Sequence, residues 1–420
     1  MSKIFTELEE EYKKKRLFDS GDIPVSYSTG FPILDQNLGG TYIYSLPDGT
    51  VQTVTRVGVP AASITQIGGQ SSTGKTAAAI QMAINMVESF DDSVDIVHID
   101  EEHATDFYRV VNVTGTSFSW VRENYHIYQN NNTWEAILER LNEICKKKEE
   151  NKKEYMYDTG FPDIFGKPFI YYKPTILILD SLLKIISGNE DTSTISGGTS
   201  AGRETVARNK FFRNLLILAG TYNINTIIIN HTMDDMDLGK PGGKPKQFTF
   251  IETGKKLPGG DRVQAWTTSI IIFKAINSKD KIKHEDNEGY NGVSIAAMVV
   301  KSRSSIGGTI AMQEFSQEYG FNPILTLLNL AIEKDLFRGV NPNRYFDGNP
   351  DVKFDTRKFV KEVEERPEIL DALLEATKPL LDAMIPVYDM REDQDPKNNL
   401  VKSAKSRVNV RERLRGFYRK

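Results

Sequence analysis

Eight consecutive residues, Gly69-Gln70-Ser71-Ser72-Thr73-Gly74-Lys75-Thr76, put two glycines, a lysine and a hydroxyl at the spacing G-x-x-x-x-G-K-[ST]. Each residue type has a task near phosphate. Glycines let successive backbone N–H groups curl around phosphate oxygens, and a helix starting where the loop ends adds its positive pole. Lys75 brings a point charge to the outer phosphates, and the Thr76 hydroxyl can bind Mg2+. The whole stretch is therefore expected to hold ATP, with Mg2+ as its companion. That ion needs a carboxylate as well. Asp180 ends the apolar run Ile176-Leu177-Ile178-Leu179, where a buried strand would carry it to the metal.

Such a loop works only when a strand delivers it and a helix leaves it, and the flanking sequence has that form. Apolar, β-branched runs occur at residues 63–67, 94–99, 125–128, 176–179, 226–229, 269–273 and 293–300. Amphipathic helical stretches lie between several of them, at 77–88, 134–145 and 204–221. This alternation predicts an α/β fold with a mostly parallel central sheet flanked by helices. Three segments interrupt it: a charged one at 146–173, a Gly/Ser/Thr-rich one at 187–202, and a Gly/Pro/Lys-rich one at 234–261. Loops of this length inside a domain are functional or lack fixed structure. Residues 1–22 carry Ile4, Phe5, Leu8, Tyr12 and Leu17 at helical spacing, so a short N-terminal helix is expected. Beyond residue 330 the chain turns helical and charged, with a small C-terminal helical unit at 354–377. There is no internal repeat.

The composition sets outer bounds. The 420 residues are 39% hydrophobic and 26% charged, as in ordinary globular proteins. No apolar run approaches the roughly 18 residues of a membrane span, and residues 1–16 lack the apolar core of a secretion signal. Cys145 is the only cysteine, which excludes an internal disulfide and suits a reducing, cytoplasmic setting. A net charge of −4 means that any nucleic-acid contact must come from local basic clusters.

The run Ile99-Asp100-Glu101-Glu102-His103-Ala104-Thr105-Asp106 resembles the I-D-x-E-H-A-x-D signature of RecA recombinases. Ser28-Thr29-Gly30-Phe31-Pro32-Ile33-Leu34-Asp35, followed by Leu38-Gly39-Gly40, resembles the S-T-G-x-x-x-L-D…L-G-G start of the same core. Asn230-His231-Thr232 ends a buried run as in the phage UvsX-type branch, where bacterial members have Asn-Gln. Lys301-Ser302-Arg303 stands where the family carries two basic residues. Over residues 26–375, in the correct order throughout, the chain is similar to RecA-family recombinases, and most of all to the UvsX-type branch.

The resemblance implies a RecA-like P-loop ATPase core at 26–335, with small helical elements at 1–25 (a polymerisation segment) and 336–396, and a basic tail at 397–420. It implies a DNA-dependent ATPase that forms helical filaments on single-stranded DNA, with ATP at the subunit interfaces, and pairs that strand with homologous duplex DNA. Mediator and single-strand-binding proteins would be further partners, and a phage protein acting in a host cell fits. Glu102 takes the place of the catalytic glutamate, just past a strand, where a carboxylate can polarise the attacking water. Asn230 and His231 would sit beside the γ-phosphate and report its presence to the DNA loop that follows. Lys301 and Arg303, two apart on an extended segment, share a face and would act on the neighbouring subunit's ATP. Asp106 and Tyr108, with Arg109 beside them, fall near the place of the adenine contact. DNA would be met by loops at about 187–203 and 234–261, through Arg203, Arg208, Lys255, Lys256, Gly259, Gly260 and Arg262, joined by Lys240, Lys244 and Lys246.

The chain also departs from the family. Residues 41–58 are longer than the bacterial pattern, 146–173 form an insertion, and the tail is basic where bacterial members are acidic. From 397 to 420 there are nine Lys or Arg and one acid, Glu412. Three other readings share the core: a non-catalytic paralogue or mediator, a structural filament protein, and a hexameric helicase. The joint presence of Lys75, Glu102, Lys301 and Arg303 argues against the first, and the short stretch ahead of the core motifs argues against the last.

Overall fold

Nine strands make the main sheet: β1 (Ile64–Gly69), β2 (Asp95–Asp100), β3 (Tyr125–Tyr128), β4 (Thr175–Asp180), β5 (Ile224–His231), β6 (Ser269–Ile276), β7 (Gly292–Ser302), β8 (Thr309–Ser316) and β9 (Gly320–Phe321). In this computed structural model they lie in the order β9-β8-β7-β6-β1-β5-β4-β2-β3. From β6 to β3 neighbours run parallel, and β7 to β9 add an antiparallel wing. The fold is therefore α/β with a mostly parallel sheet, as expected. Each of the seven apolar runs is a strand; β8 and β9 are additional. The structure describes residues 25–389 except 47, 91–93, 131, 163–167, 189–199, 235–254 and 277–291. The expected helix at 1–22, the tail at 397–420, and Lys240, Lys244 and Lys246 lie outside the described residues.

Helices cover both faces. Those used below are α1 (Lys75–Val87), α2 (Phe107–Thr114), α3 (Trp134–Glu150), α4 (Ser200–Tyr222), α5 (Gly260–Trp266), α6 (Pro323–Glu333) and α7 (Glu368–Met384). The central strands are apolar on both sides because each side is packed. Alternation along a strand divides its residues. Ile176 and Ile178 join one cluster with Ala77–Ala79 and Ile80 of α1, while Leu177 and Leu179 join another with Trp134 and Ile137 of α3 and Phe211 and Phe212 of α4. Helix α1 is buried almost all round, which its alanines allow; a helix apolar on every side belongs in a core.

The described residues of the segment at 146–173 are mostly secondary structure, which corrects the expectation of an interrupting loop. Helix α3 continues to Glu150, a turn follows at Lys152–Tyr155, and strands Met156–Pro162 and Pro168–Tyr172 pair as a hairpin. Its charges hid two facts. Phe169, Tyr171 and Tyr172 are buried, and Lys148 is only 1% exposed, donating to the Lys173 and Tyr222 carbonyls at 2.7 and 3.1 Å. The longer stretch at 41–58 is likewise built. Strands Gly40–Ser45 and Val51–Arg56 form a hairpin, and Val387–Asp389 adds to it in parallel. The C-terminal region has helical content as expected, in Phe359–Glu365 and α7. Its Phe346, Phe354, Phe359 and Leu373 belong to the same hydrophobic cluster as α1.

Candidate functional site

Parallel strands bring their carboxyl ends to one edge of a sheet, and crevices there are where such folds bind ligands. Register fixes what gathers. Gly69 at the end of β1 pairs with His231 of β5, and Asp180 of β4 pairs with Asp100 of β2. Residues 70–74 then turn into α1. Gly74 caps that helix with φ 77°, and a Cβ there would stand 2.8 Å from the Phe315 ring, so both conformation and space favour glycine. The Lys75 side chain folds back onto its own loop, donating from Nζ to the Gln70 carbonyl at 2.6 Å, while Thr73 Oγ1 donates to the same carbonyl at 2.9 Å. Burial lowers the Lys75 pKa, and the nearby Asp180 and Glu102 carboxylates oppose that. Gln70, Ser71 and Ser72 are exposed at the mouth of the loop.

The Thr76 hydroxyl donates to Asp180 Oδ2 at 2.7 Å. Asp180 is buried, and burial pushes its carboxyl up to about 7, with Thr76 and Lys75 opposing and the Glu102 and Asp100 charges adding to the rise. Its Oδ1 is buried and has no hydrogen-bond partner among the described residues. A buried carboxylate whose Oδ2 meets a hydroxyl fits a hard cation such as Mg2+, and Thr76 and Asp180, through Oδ2, are the residues that would hold it.

Glu102 lies just past β2 and is held from two sides. His231 Nε2 stands 3.2 Å and Lys184 Nζ 3.7 Å from Glu102 Oε1. Burial raises this carboxyl, but the hydrogen bonds of His231 and Ser181 and the charge of Lys184 outweigh it, so the group sits below the ordinary glutamate value. It is ionised at neutral pH and can accept a proton from water. Asp100 shapes the turn that presents it, accepting from the Ala104 and Thr105 amides at 3.3 and 2.9 Å and from Gln129 Nε2 at 2.9 Å. Residues 69–76, Asp180, Glu102 and His231 thus converge at one sheet edge.

Other candidates are placed elsewhere. Asp106 caps α2, accepting from the Arg109 amide at 2.7 Å. Tyr108 is 71% exposed and leans on Phe118. Arg109 is engaged by the Gln317 and Glu318 carbonyls at 2.6 and 3.2 Å. Lys301 Nζ donates to the Gln264 and Thr267 carbonyls at 2.5 and 2.8 Å, and Arg303 donates to the Ala265 carbonyl. Both cations therefore close the C-terminal end of α5, where exposed carbonyls attract positive charge. Burial, with Arg303 alongside, brings Lys301 down to about 8.

Helix α5 follows the second expected DNA loop, of which 235–254 lie outside the described residues. Strand Met233–Asp234 pairs with Lys255–Lys256 just beyond His231. Asn230 Nδ2 donates to the Pro258 carbonyl at 3.3 Å, and Leu257 is buried with Ile270 and Ile272 of β6. Gly259, at φ 98°, and Gly260 start α5, and Arg262 is exposed on its first turn. The first expected DNA loop is shorter than its sequence suggested, because α4 already begins at Ser200. Arg203 is thus an exposed helical residue, and Arg208 is half-buried on the same helix with Nε unpaired.

Sequence reasoning gave no role to Lys184, Gln129, His98 or Asp100. For Asp100 a signal existed, since it ends a buried apolar strand as Asp180 does. Lys184 had none, because only the fold brings it to Glu102. The chain was compared with family models and with curated proteins, and it matches none of either.

Proposed function

We propose that this protein is an ATP-dependent DNA recombinase of the RecA kind, hydrolysing ATP at the 69–76 loop and assembling as filaments on single-stranded DNA. The observation that carries the catalytic part is the convergence of Thr76, Asp180, Glu102 and His231 on the end of β1. Lys75 and the loop amides would bind the phosphates, and Thr76 with Asp180 would hold Mg2+. The bound ion would neutralise charge on the outer phosphates. Glu102 would take a proton from the water as its oxygen attacks the γ-phosphorus and ADP leaves.

The recombinase part is supported by the path of the chain from this site to basic residues. His231 touches Glu102, and a few residues later the chain pairs with Lys255–Lys256 and reaches Gly259, Gly260 and Arg262. Occupancy of the nucleotide site and the position of that segment would be coupled through one strand end. Phosphate contacts from backbone amides and cations carry no sequence preference, as pairing of arbitrary homologous strands requires. Lys301 and Arg303 would leave α5 to serve the neighbouring subunit's ATP in the filament.

The nucleotide assignment is tested by equilibrium binding of a fluorescent ATP analogue in Mg2+. Wild type and Glu102→Gln should bind it, and Lys75→Ala should not. Equal binding by Lys75→Ala would move the nucleotide away from this loop.

A further inference from the structure

Behind the Thr76–Asp180 contact lies a cluster of which the nucleotide reading uses only Asp180. His98 and Asp100 are two apart on β2, and Asp180 sits opposite Asp100 on β4, so all three share the face that carries α1. One donor atom from each lies within 4.8 Å of the other two. His98 and Asp100 are 0% exposed and Asp180 1%. Two of these buried side chains have an atom with no hydrogen-bond partner among the described residues, His98 Nε2 and Asp180 Oδ1. Burying an imidazole nitrogen and a carboxylate oxygen in this way is costly unless something joins them.

We propose that His98, Asp100 and Asp180 form a binding site for a divalent cation of borderline softness, Mn2+ or Zn2+, distinct from the site of the nucleotide's metal. One imidazole and two carboxylates suit such ions better than Mg2+, which prefers an all-oxygen shell. The surroundings already orient the ligands. The His98 Nδ1 faces the Tyr125 hydroxyl at 2.9 Å, so with Nδ1 protonated that ring nitrogen donates to Tyr125 and leaves Nε2 with its lone pair for the ion. Gln129 Nε2 fixes Asp100 at 2.9 Å. Ligands about 2.1 Å from an ion stand roughly 3–4 Å apart, so the triad must close by up to about 2 Å. Asp180 meets Thr76 through Oδ2 and would meet the inner ion through Oδ1, and a carboxylate can bridge two ions in this way.

The test uses the full chain without nucleotide, so its outcome does not depend on ATP hydrolysis. Mn2+ is titrated in and the free ion followed by electron paramagnetic resonance, and electron spin echo modulation of the bound ion is recorded on wild type. One Mn2+ per chain with a histidine nitrogen coupling is expected. His98→Phe should lose the coupling and at least about tenfold in affinity, and Gln129→Ala should weaken binding about tenfold. The wild-type spectrum needs no variant to fold. Absence of stoichiometric binding, bound Mn2+ without nitrogen coupling, or unchanged affinity and coupling in His98→Phe would each overturn the proposal.

Discussion

His231 Nε2 and Glu102 Oε1 lie 3.2 Å apart, joining the ends of β5 and β2 across 129 residues of sequence. The contact sets the charge state of Glu102 as well as its position. Burial alone would raise that carboxyl, and His231 with Lys184 reverses the sign. Removing either partner lets the pKa climb, so the base is lost at higher pH on the acid side. His231→Ala should move the acid limb of the kcat/KM profile upward, and so should Lys184→Ala, while His231→Gln, which keeps a donor, should restore most of it. An acid limb at the same pH in all four proteins would show that these contacts do not tune the group that titrates.

Glu102→Gln keeps the shape and removes the base. Turnover should fall by at least about a hundredfold, the scale of lost acid–base assistance, with nucleotide binding intact. Under the proposed function, in which hydrolysis would release them, filaments on single-stranded DNA should then persist. Steady-state hydrolysis near the wild-type rate would end the catalytic assignment.

Lys301 and Arg303 are tied to the α5 carbonyls within one chain, so their service to a neighbour requires assembly. The double alanine variant should lose DNA-stimulated hydrolysis while staying folded. Mixing it with Lys75→Ala subunits should restore part of the activity, because a mixed interface joins an intact loop to intact cations. Co-assembly without any rescue would assign the pair to capping α5 alone.

The S-T-G-x-x-x-L-D segment has a structural explanation that can be weighed separately. Asp35 is buried and accepts from Ser28 Oγ, the Thr29 amide and Thr29 Oγ1 at 2.5, 2.7 and 2.5 Å. Burial still wins over these hydrogen bonds and pushes its carboxyl up to about 6. An acid raised in the folded state contributes stability that is lost as pH climbs from its unfolded value, near 4, to about 6. Asp35→Asn keeps a similar hydrogen-bonding shape without the charge. Its stability relative to wild type should therefore rise across that window by on the order of 3 kcal/mol and stay level above it. Urea melts of both proteins at several pH values read this directly, and a difference that stays constant with pH would remove the linkage.

Much of this was legible because burial on both faces writes itself into sequence. The runs at 176–179 and 226–229 could only be inner strands, and the glycines and lysine at 69–75 declared the loop between β1 and α1. The order of strands was not legible, since it depends on which crossovers pack, and Lys184 meets Glu102 only through that order. Charge also misled. Lysines and glutamates at 146–150 read as a loop, yet they continue α3 as a solvated face, except that Lys148 is buried against carbonyls that no local pattern announces. Tyr108 is expected near the base from its position alone, and its exposed ring leans on Phe118.

Strand exchange tests the central claim most directly. The protein is incubated with circular single-stranded DNA and a linear duplex, homologous or not, with ATP and Mg2+, and joint molecules are counted on a gel. The proposed function predicts joint molecules with the homologous duplex only, dependent on ATP and absent with Lys75→Ala. ATP hydrolysis that ignores single-stranded DNA, with no joint molecules from the homologous duplex, would contradict it.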